Sequence, residues 1–158
     1  MHRRDHLRRL PSVWTRHPVY FITICSAGRR RILTAPALAA VLIESWQAAA
    51  SVHGWWIGRY VIMPDHVHFF ARHTDCEKTL SQFVRDWKKW TTRQIHAAGI
   101  GEPCVWQAEF FDHVLRSADS DEQKWLYVRE NPVRAGLALS PEAWPWAGEI
   151  AALVFRPE

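Results

Sequence analysis

Residues 55–72, WWIGRYVIMPDHVHFFAR, constrain the fold more than any other stretch: two runs rich in β-branched and aromatic residues are separated only by Pro64 and Asp65. A proline followed by an acid at such a gap is turn chemistry, and two strands joined this tightly pair antiparallel as a hairpin. Side chains alternate along a strand, so His66 and His68 share one face, about 7 Å apart along the chain, with Val67 on the other. Two imidazoles on one face can share a metal ion. They can equally be half-buried groups hydrogen-bonded in a sheet, and H-x-H alone leaves both readings open.

The flanking segments extend the hairpin into a fold. VYFITICS (19–26) reads as a strand that turns at Gly28, and the alanine-rich APALAAVLIESWQAAASVHG as a helix closed by Gly54. Between Asp75 and Gly99 the positions Leu80, Phe83, Val84, Trp87, Trp90 and Ile95 follow helical spacing after an Asp75 N-cap, with Arg85, Lys88, Lys89 and Arg93 on the other face. CVWQAEFFDHVLR (104–116) reads as a fourth strand. Asp119 or Ser120 then opens a helix through DEQKWLYVRE, with Ser120 and Gln123 spaced as a capping box and Pro132 disturbing its continuation. The order β-α-β-β-α-β predicts an α+β chain of the ferredoxin-like, split β-α-β type: an antiparallel sheet with helices on one face, plus a C-terminal helix. A sheet face left open in this way is a platform for single-stranded nucleic acid.

At 158 residues the chain is expected to form one domain with its own core. Residues 1–18 are read as a basic arm, 19–148 as the domain and 149–158 as a short tail. Three cysteines without C-x-x-C spacing suggest neither a disulfide framework nor a thiolate zinc site, and point to a reducing cytoplasm. The basic start lacks the apolar core of a signal peptide, and no run reaches the roughly 18 apolar residues of a membrane span. Net charge is +4, but residues 1–31 hold eight arginines against one acid, so the remainder nets −3. Guanidinium groups suit bidentate phosphate contacts, which makes Arg3, Arg4, Arg8, Arg9, Arg29, Arg30 and Arg31, with Lys88, Lys89 and Arg93, candidates for DNA backbone binding. Surface solubility accounts for the same charges.

Tyr127 and Asn131 lie four residues apart, on one helical face that Arg134 would continue past Pro132. Beside a polarised phosphate a phenolate can attack phosphorus, and an amide oxygen can complete a two-histidine metal site. A packed helix tyrosine and a helix-end asparagine explain the pair as well.

The combination carries more than its parts. MPDHVHFF in a strand, VWQAEFFDHVLR ahead of a helix, YVRENPVRAGL within it and a closing WPWAGE together resemble the REP-associated tyrosine transposases, of the HUH-type single-strand transposase superfamily, from about Tyr20 to Trp146. The resemblance implies a metal-dependent single-stranded DNA endonuclease and strand transferase. His66 and His68 would be the metal-binding histidines, Asn131 the third ligand and Tyr127 the nucleophile. It implies magnesium or manganese, although imidazoles also admit zinc, cobalt or nickel. The substrate implied is a hairpin-forming palindromic repeat, cut through a 5′-phosphotyrosine, by a monomer or a homodimer. YVRE holds no second tyrosine beside Tyr127, which implies a single nucleophile.

Two rivals come from other classes: a hairpin DNA- or RNA-binding module of the same fold that does not cut, and a metal hydrolase in which Tyr127 only packs. Tyr60 and Tyr20 are weaker nucleophile candidates, expected to pack in the sheet. Asp65 and Asp112 are expected in a turn and at a strand end, His113 in a structural role, and Cys104 without a partner.

Overall fold

Asp65 and Pro64 do form the predicted turn, and the hairpin they close is the middle of the sheet. In the computed structural model of the chain, which describes residues 10–75, 77–101 and 104–156, β3 (Trp55–Met63) pairs antiparallel with β4 (His66–His73). β1 is Ser12–Val13, β2 is Val19–Cys25 and β5 is Phe111–Leu115; α1 is Pro36–His53 and α2 Leu80–Ala97. The sheet runs β5-β2-β4-β3-β6 with every neighbour antiparallel, where β6 is Ala147–Glu149. Without β6 this is the strand order of a ferredoxin-like sheet. No helix among the described residues is long and apolar enough to cross a membrane.

A bulge decides which residues of β3 face which way. Ile57 pairs with Ala71, yet Tyr60 pairs with Phe69, so Gly58 and Arg59 together oppose Phe70. One extra residue reverses the alternation. Ile57, Tyr60 and Ile62 therefore all join the core beneath α1 and α2, while Val61 and Met63 face the other way. Gly58 also admits the chain end: a Cβ there would lie 2.9 Å from Leu153 Cδ1.

The helix-side core is built on large rings, with Trp46, Trp55, Trp87, Phe69 and Phe83 all buried. Trp46 stacks parallel to Trp87 at 5.9 Å, and Trp55 on Phe83 at 5.2 Å. Four of the ten tryptophans, Trp46, Trp55, Trp87 and Trp106, are buried in the core. The opposite face is only partly open. α3 (Ala118–Val128) lays Trp125 and Val128 over Phe21, Phe70 and Leu115, and Arg59 reaches the Trp125 ring at 5.3 Å.

Local chemistry and tertiary demand disagree at three predicted boundaries. α2 is capped not by Asp75 but by Thr79, in a reciprocal box with Gln82. Trp55 Nε1 donates to the Lys78 carbonyl at 3.0 Å, which holds the approach extended, and Asp75 pairs with His17 instead. The strand expected over 104–116 forms only at Phe111–Leu115, because Lys88 Nζ takes the carbonyls of Gln107 and Ala108 at 2.9 and 2.8 Å and Trp106 keeps a single bridge to Ser26. α3 starts from a Ser117–Ser120 box rather than from Asp119 or Ser120. It ends at Val128, and α4 (Asn131–Arg134) restarts with Pro132 in its first turn, where the missing N–H costs nothing. Gly54, at φ 73°, closes α1 as expected.

A small second sheet packs beside the first. β1 pairs in parallel with β7 (Ala152–Leu153), and buried Arg72 donates to the carbonyls of Val13 at 3.1 Å and Val154 at 2.5 Å. Residues on either side of positions 18 and 148 thus share one structure.

Candidate functional site

β4 is the third of five strands, so its side chains stand on the most rigid part of the sheet. His66, His68, Phe70 and Arg72 form one column, on the face away from α1 and α2. The rings of His66 and His68 lie 4.7 Å apart, edge to face. His66 Nδ1 meets Asp65 Oδ1 at 2.8 Å, and the second Asp65 oxygen accepts from Arg29 Nε at 2.9 Å. His68 Nδ1 meets Thr23 Oγ1 at 2.8 Å across the β2–β4 pairing, and its ring stacks on Phe21 at 5.1 Å.

These partners hold both rings in place. Burial works against the Asp65 carboxylate, but the bonds and charges of His66 and Arg29 outweigh it and hold its pKa below the usual value. An ionised Asp65 only accepts, so His66 presents a protonated Nδ1 to it. Burial first, then the nearby His66 and Lys124, pushes His68 down to about 3, which keeps it neutral. Among the described residues neither Nε2 has a hydrogen-bond partner. Two imidazoles with Nδ1 tied back and Nε2 free of protein partners are the donor set a divalent cation takes. No group of three His, Cys, Asp or Glu side chains stands ready for a metal among the described residues.

The tyrosine stands on α3, 65% exposed. Arg134 organises its surroundings: the guanidinium lies 4.1 Å from the Tyr127 ring centroid and donates through Nη2 to the Tyr127 carbonyl at 2.7 Å and to Asn131 Oδ1. One turn before Tyr127, Lys124 places its ammonium 5.2 Å from the Phe21 ring, beside His68. α3 is thereby brought to the histidine end of the sheet face. No hydrogen bond or ring contact among the described residues joins Tyr127 or Asn131 to either histidine, so the site consists of two neighbouring groups.

The predicted cations divide by what they touch. Arg3, Arg4, Arg8 and Arg9 lie outside the described residues. Arg29 holds Asp65 and also donates to Cys25 Sγ at 3.2 Å, and Arg30 donates to the carbonyls of Ala27 and Cys104. Lys88 is committed to its two carbonyls, and burial lowers its pKa. Arg31, Lys89 and Arg93 are exposed. Lys89, Arg93 and Arg85 rim a groove of about 550 Å³ floored by Val105, Trp106 and Phe110. Tyr60 is buried against Trp46 at 4.9 Å, and Tyr20 packs on Trp55. Burial raises the Tyr60 pKa, the wrong direction for a nucleophile. Asp112 and His113 are exposed on β5, and Cys104 Sγ donates weakly to the Trp106 carbonyl. Lys124 and Thr23 were not among the predicted residues; the i, i+3 spacing of Lys124 to Tyr127 was the available signal for the first, and nothing local pointed to the second.

Known proteins share this fold. A REP-associated tyrosine transposase of Escherichia coli K12 is 28% identical over 91 residues, 58% of this chain and 52% of the relative, so the chain spans about half the length of the curated protein it matches. A solved REP-associated tyrosine transposase bound to a REP hairpin superposes with a TM-score of 0.69 at 22% identity, over 85% of this chain and 78% of its own. A second structure, from Deinococcus radiodurans, gives 0.57 at 19% identity over 74% and 92%. Residues 15–130 match the family described as "Transposase IS200 like", a span that takes in His66, His68 and Tyr127 and stops one residue before Asn131; the chain belongs to the IS200-like transposases.

Proposed function

We propose that the chain is a metal-dependent single-stranded DNA endonuclease and strand transferase that acts on hairpin-forming palindromic repeats. The observation that carries this is the His66–His68 pair, each Nδ1 tied back and each Nε2 free, on the face over which α3 holds an exposed tyrosine. The REP hairpin bound by the related structure supplies the substrate class.

His66 and His68 would hold magnesium or manganese through Nε2, and Asn131 through Oδ1, which keeps a lone pair free of Arg134. When bound, the cation draws charge from a non-bridging phosphate oxygen. Tyr127 Oη attacks phosphorus and gives up its proton; the P–O3′ bond breaks, and the 3′ oxygen leaves and takes up a proton. The products are a 5′-phosphotyrosine and a free 3′-OH. Lys124 adds positive charge beside the phosphate, and Arg134 keeps the Tyr127 ring oriented. A second 3′-OH reverses the step on another strand, because the ester retains the energy of the phosphodiester.

The test is incubation of a labelled hairpin oligonucleotide with protein and manganese, followed by denaturing electrophoresis. A shifted, protein-linked 5′ end is expected, lost in Tyr127→Phe and in His66→Ala. Salt-sensitive binding without adduct would assign the chain to the non-cutting hairpin module, and cleavage that survives Tyr127→Phe would assign it to the metal hydrolases.

A further inference from the structure

The histidine column of β4 ends in a second polar group that the chemistry above does not use. Arg72 stands six residues from His66 on the same face, roughly 20 Å along the strand, and is 1% exposed. Its Nη1 holds the carbonyls of Val13 and Val154, and its Nε has no partner. The guanidinium also lies 4.8 Å from the Phe155 ring centroid, and a buried guanidinium N–H left unpaired is costly, an anion being the partner that suits it. Asp121 is the acid whose charge Arg72 feels, but no hydrogen bond joins them among the described residues, and burial pushes the Asp121 carboxyl up to about 6, which weakens it as a counter-ion.

Arg72 lines a cavity of about 180 Å³ together with Arg16, Arg116, Arg156, His17 and Trp14. No carboxylate is among the lining residues. Arg16, Arg116 and Arg156 are exposed, and none pairs with an acid among the described residues. Arg156 lies flat on Trp14, 4.0 Å from its ring centroid. Four arginines, one from β4, one just past β5, one after β1 and one after β7, thus line one space. It is smaller than the roughly 300–1,000 Å³ of pockets that enclose drug-sized ligands, and suits a phosphate group.

We infer that this cavity binds one backbone phosphodiester of the single-stranded DNA, several nucleotides from the linkage cut at the histidines, with Trp14 as a platform for the neighbouring base. The inference rests on the proposed function for its ligand, and it makes the β4 column a ruler: the histidines at one end, a phosphate clamp at the other.

The experiment uses Tyr127→Phe protein, which separates binding from cutting, and a fluorescein-labelled hairpin oligonucleotide with single-stranded flanks, read by anisotropy. Methylphosphonates neutralise one flank linkage at a time. The Arg16→Ala/Arg116→Ala pair, at exposed positions that leave the fold intact, is expected to weaken binding about tenfold or more and to lower the salt slope by about 0.7 for each phosphate the protein no longer neutralises. One linkage that matters to the parent should cease to matter in the pair. Unchanged affinity, or a uniform loss without coupling to any linkage, overturns the clamp and leaves the nuclease reading standing. A gain confined to oligonucleotides with a 5′-phosphate assigns the cavity to a terminal monoester and overturns the backbone assignment. Failure of the parent to bind DNA removes both inferences.

Discussion

The two halves of the candidate site are held in opposite ways. His66 and His68 sit mid-sheet, each fixed by a side-chain hydrogen bond, and Asp65 is itself braced by Arg29. Tyr127 is exposed on a short helix, and its ring is held by a guanidinium from the next turn of its own segment rather than by the sheet. The histidine half is therefore preorganised, and the tyrosine half is free to adjust. The proposed strand transfer would need that asymmetry, with His66 and His68 holding their positions while Tyr127 moves with a strand.

The largest effects separate the halves outright. Tyr127→Phe is expected to abolish the covalent adduct, a loss of at least about 10³-fold, while manganese binding by calorimetry stays at the parental level. His66→Ala should lose both. A Tyr127→Phe protein that no longer binds manganese would mean that the halves are one unit. Next comes Asp65→Asn, which leaves His66 without its acceptor carboxylate: metal affinity and cleavage should both fall by about 10- to 100-fold. A fall in cleavage alone would show that Asp65 acts on substrate instead.

What could be read along the chain is what depends on near neighbours. The hairpin at Pro64–Asp65, the shared face of His66 and His68, and the αL glycine closing α1 are all consequences of residues within a few positions of one another. The support around the histidines was hidden for the opposite reason. Thr23 is 45 positions from His68 and reaches it only because β2 and β4 pair in one register. Arg29 meets Asp65 across 36 positions. The cap of α2 was present in the sequence as T-x-x-Q, and Asp75 displaced it from the reading because nothing local reveals that Trp55 holds the Lys78 carbonyl. Tyr127 and Asn131 were legible as a spaced pair, whereas the guanidinium joining them depends on how the chain restarts after Val128.

Smaller perturbations test whether support of the metal half is graded. Thr23→Val removes a neutral partner from His68 where Asp65→Asn removes a charged one from His66, and charge-assisted bonds are about twice as strong. Thr23→Val should therefore weaken manganese binding by less than Asp65→Asn, about three- to tenfold.

The mildest test bears on how α3 is seated, and it uses pH. Asp121, in the first turn of α3, is pushed up to about 6, chiefly by burial and against the pull of Arg59. A carboxyl whose pKa is higher folded than unfolded favours the native state only while protonated. Its contribution is present below the ordinary value of 3.8 and is lost as pH rises through about 6. Asp121→Asn cannot ionise, so it should raise Tm by a few degrees at pH 7–8, and the gain should shrink to nothing by about pH 4. His68, held near 3 by burial, has no titration in this window. If hydrogen exchange between pH 5 and 7 quickens in α3 while β4 stays protected, the tyrosine is carried on an element that loosens independently of the histidines; equal loosening of both would join them in a single cooperative unit.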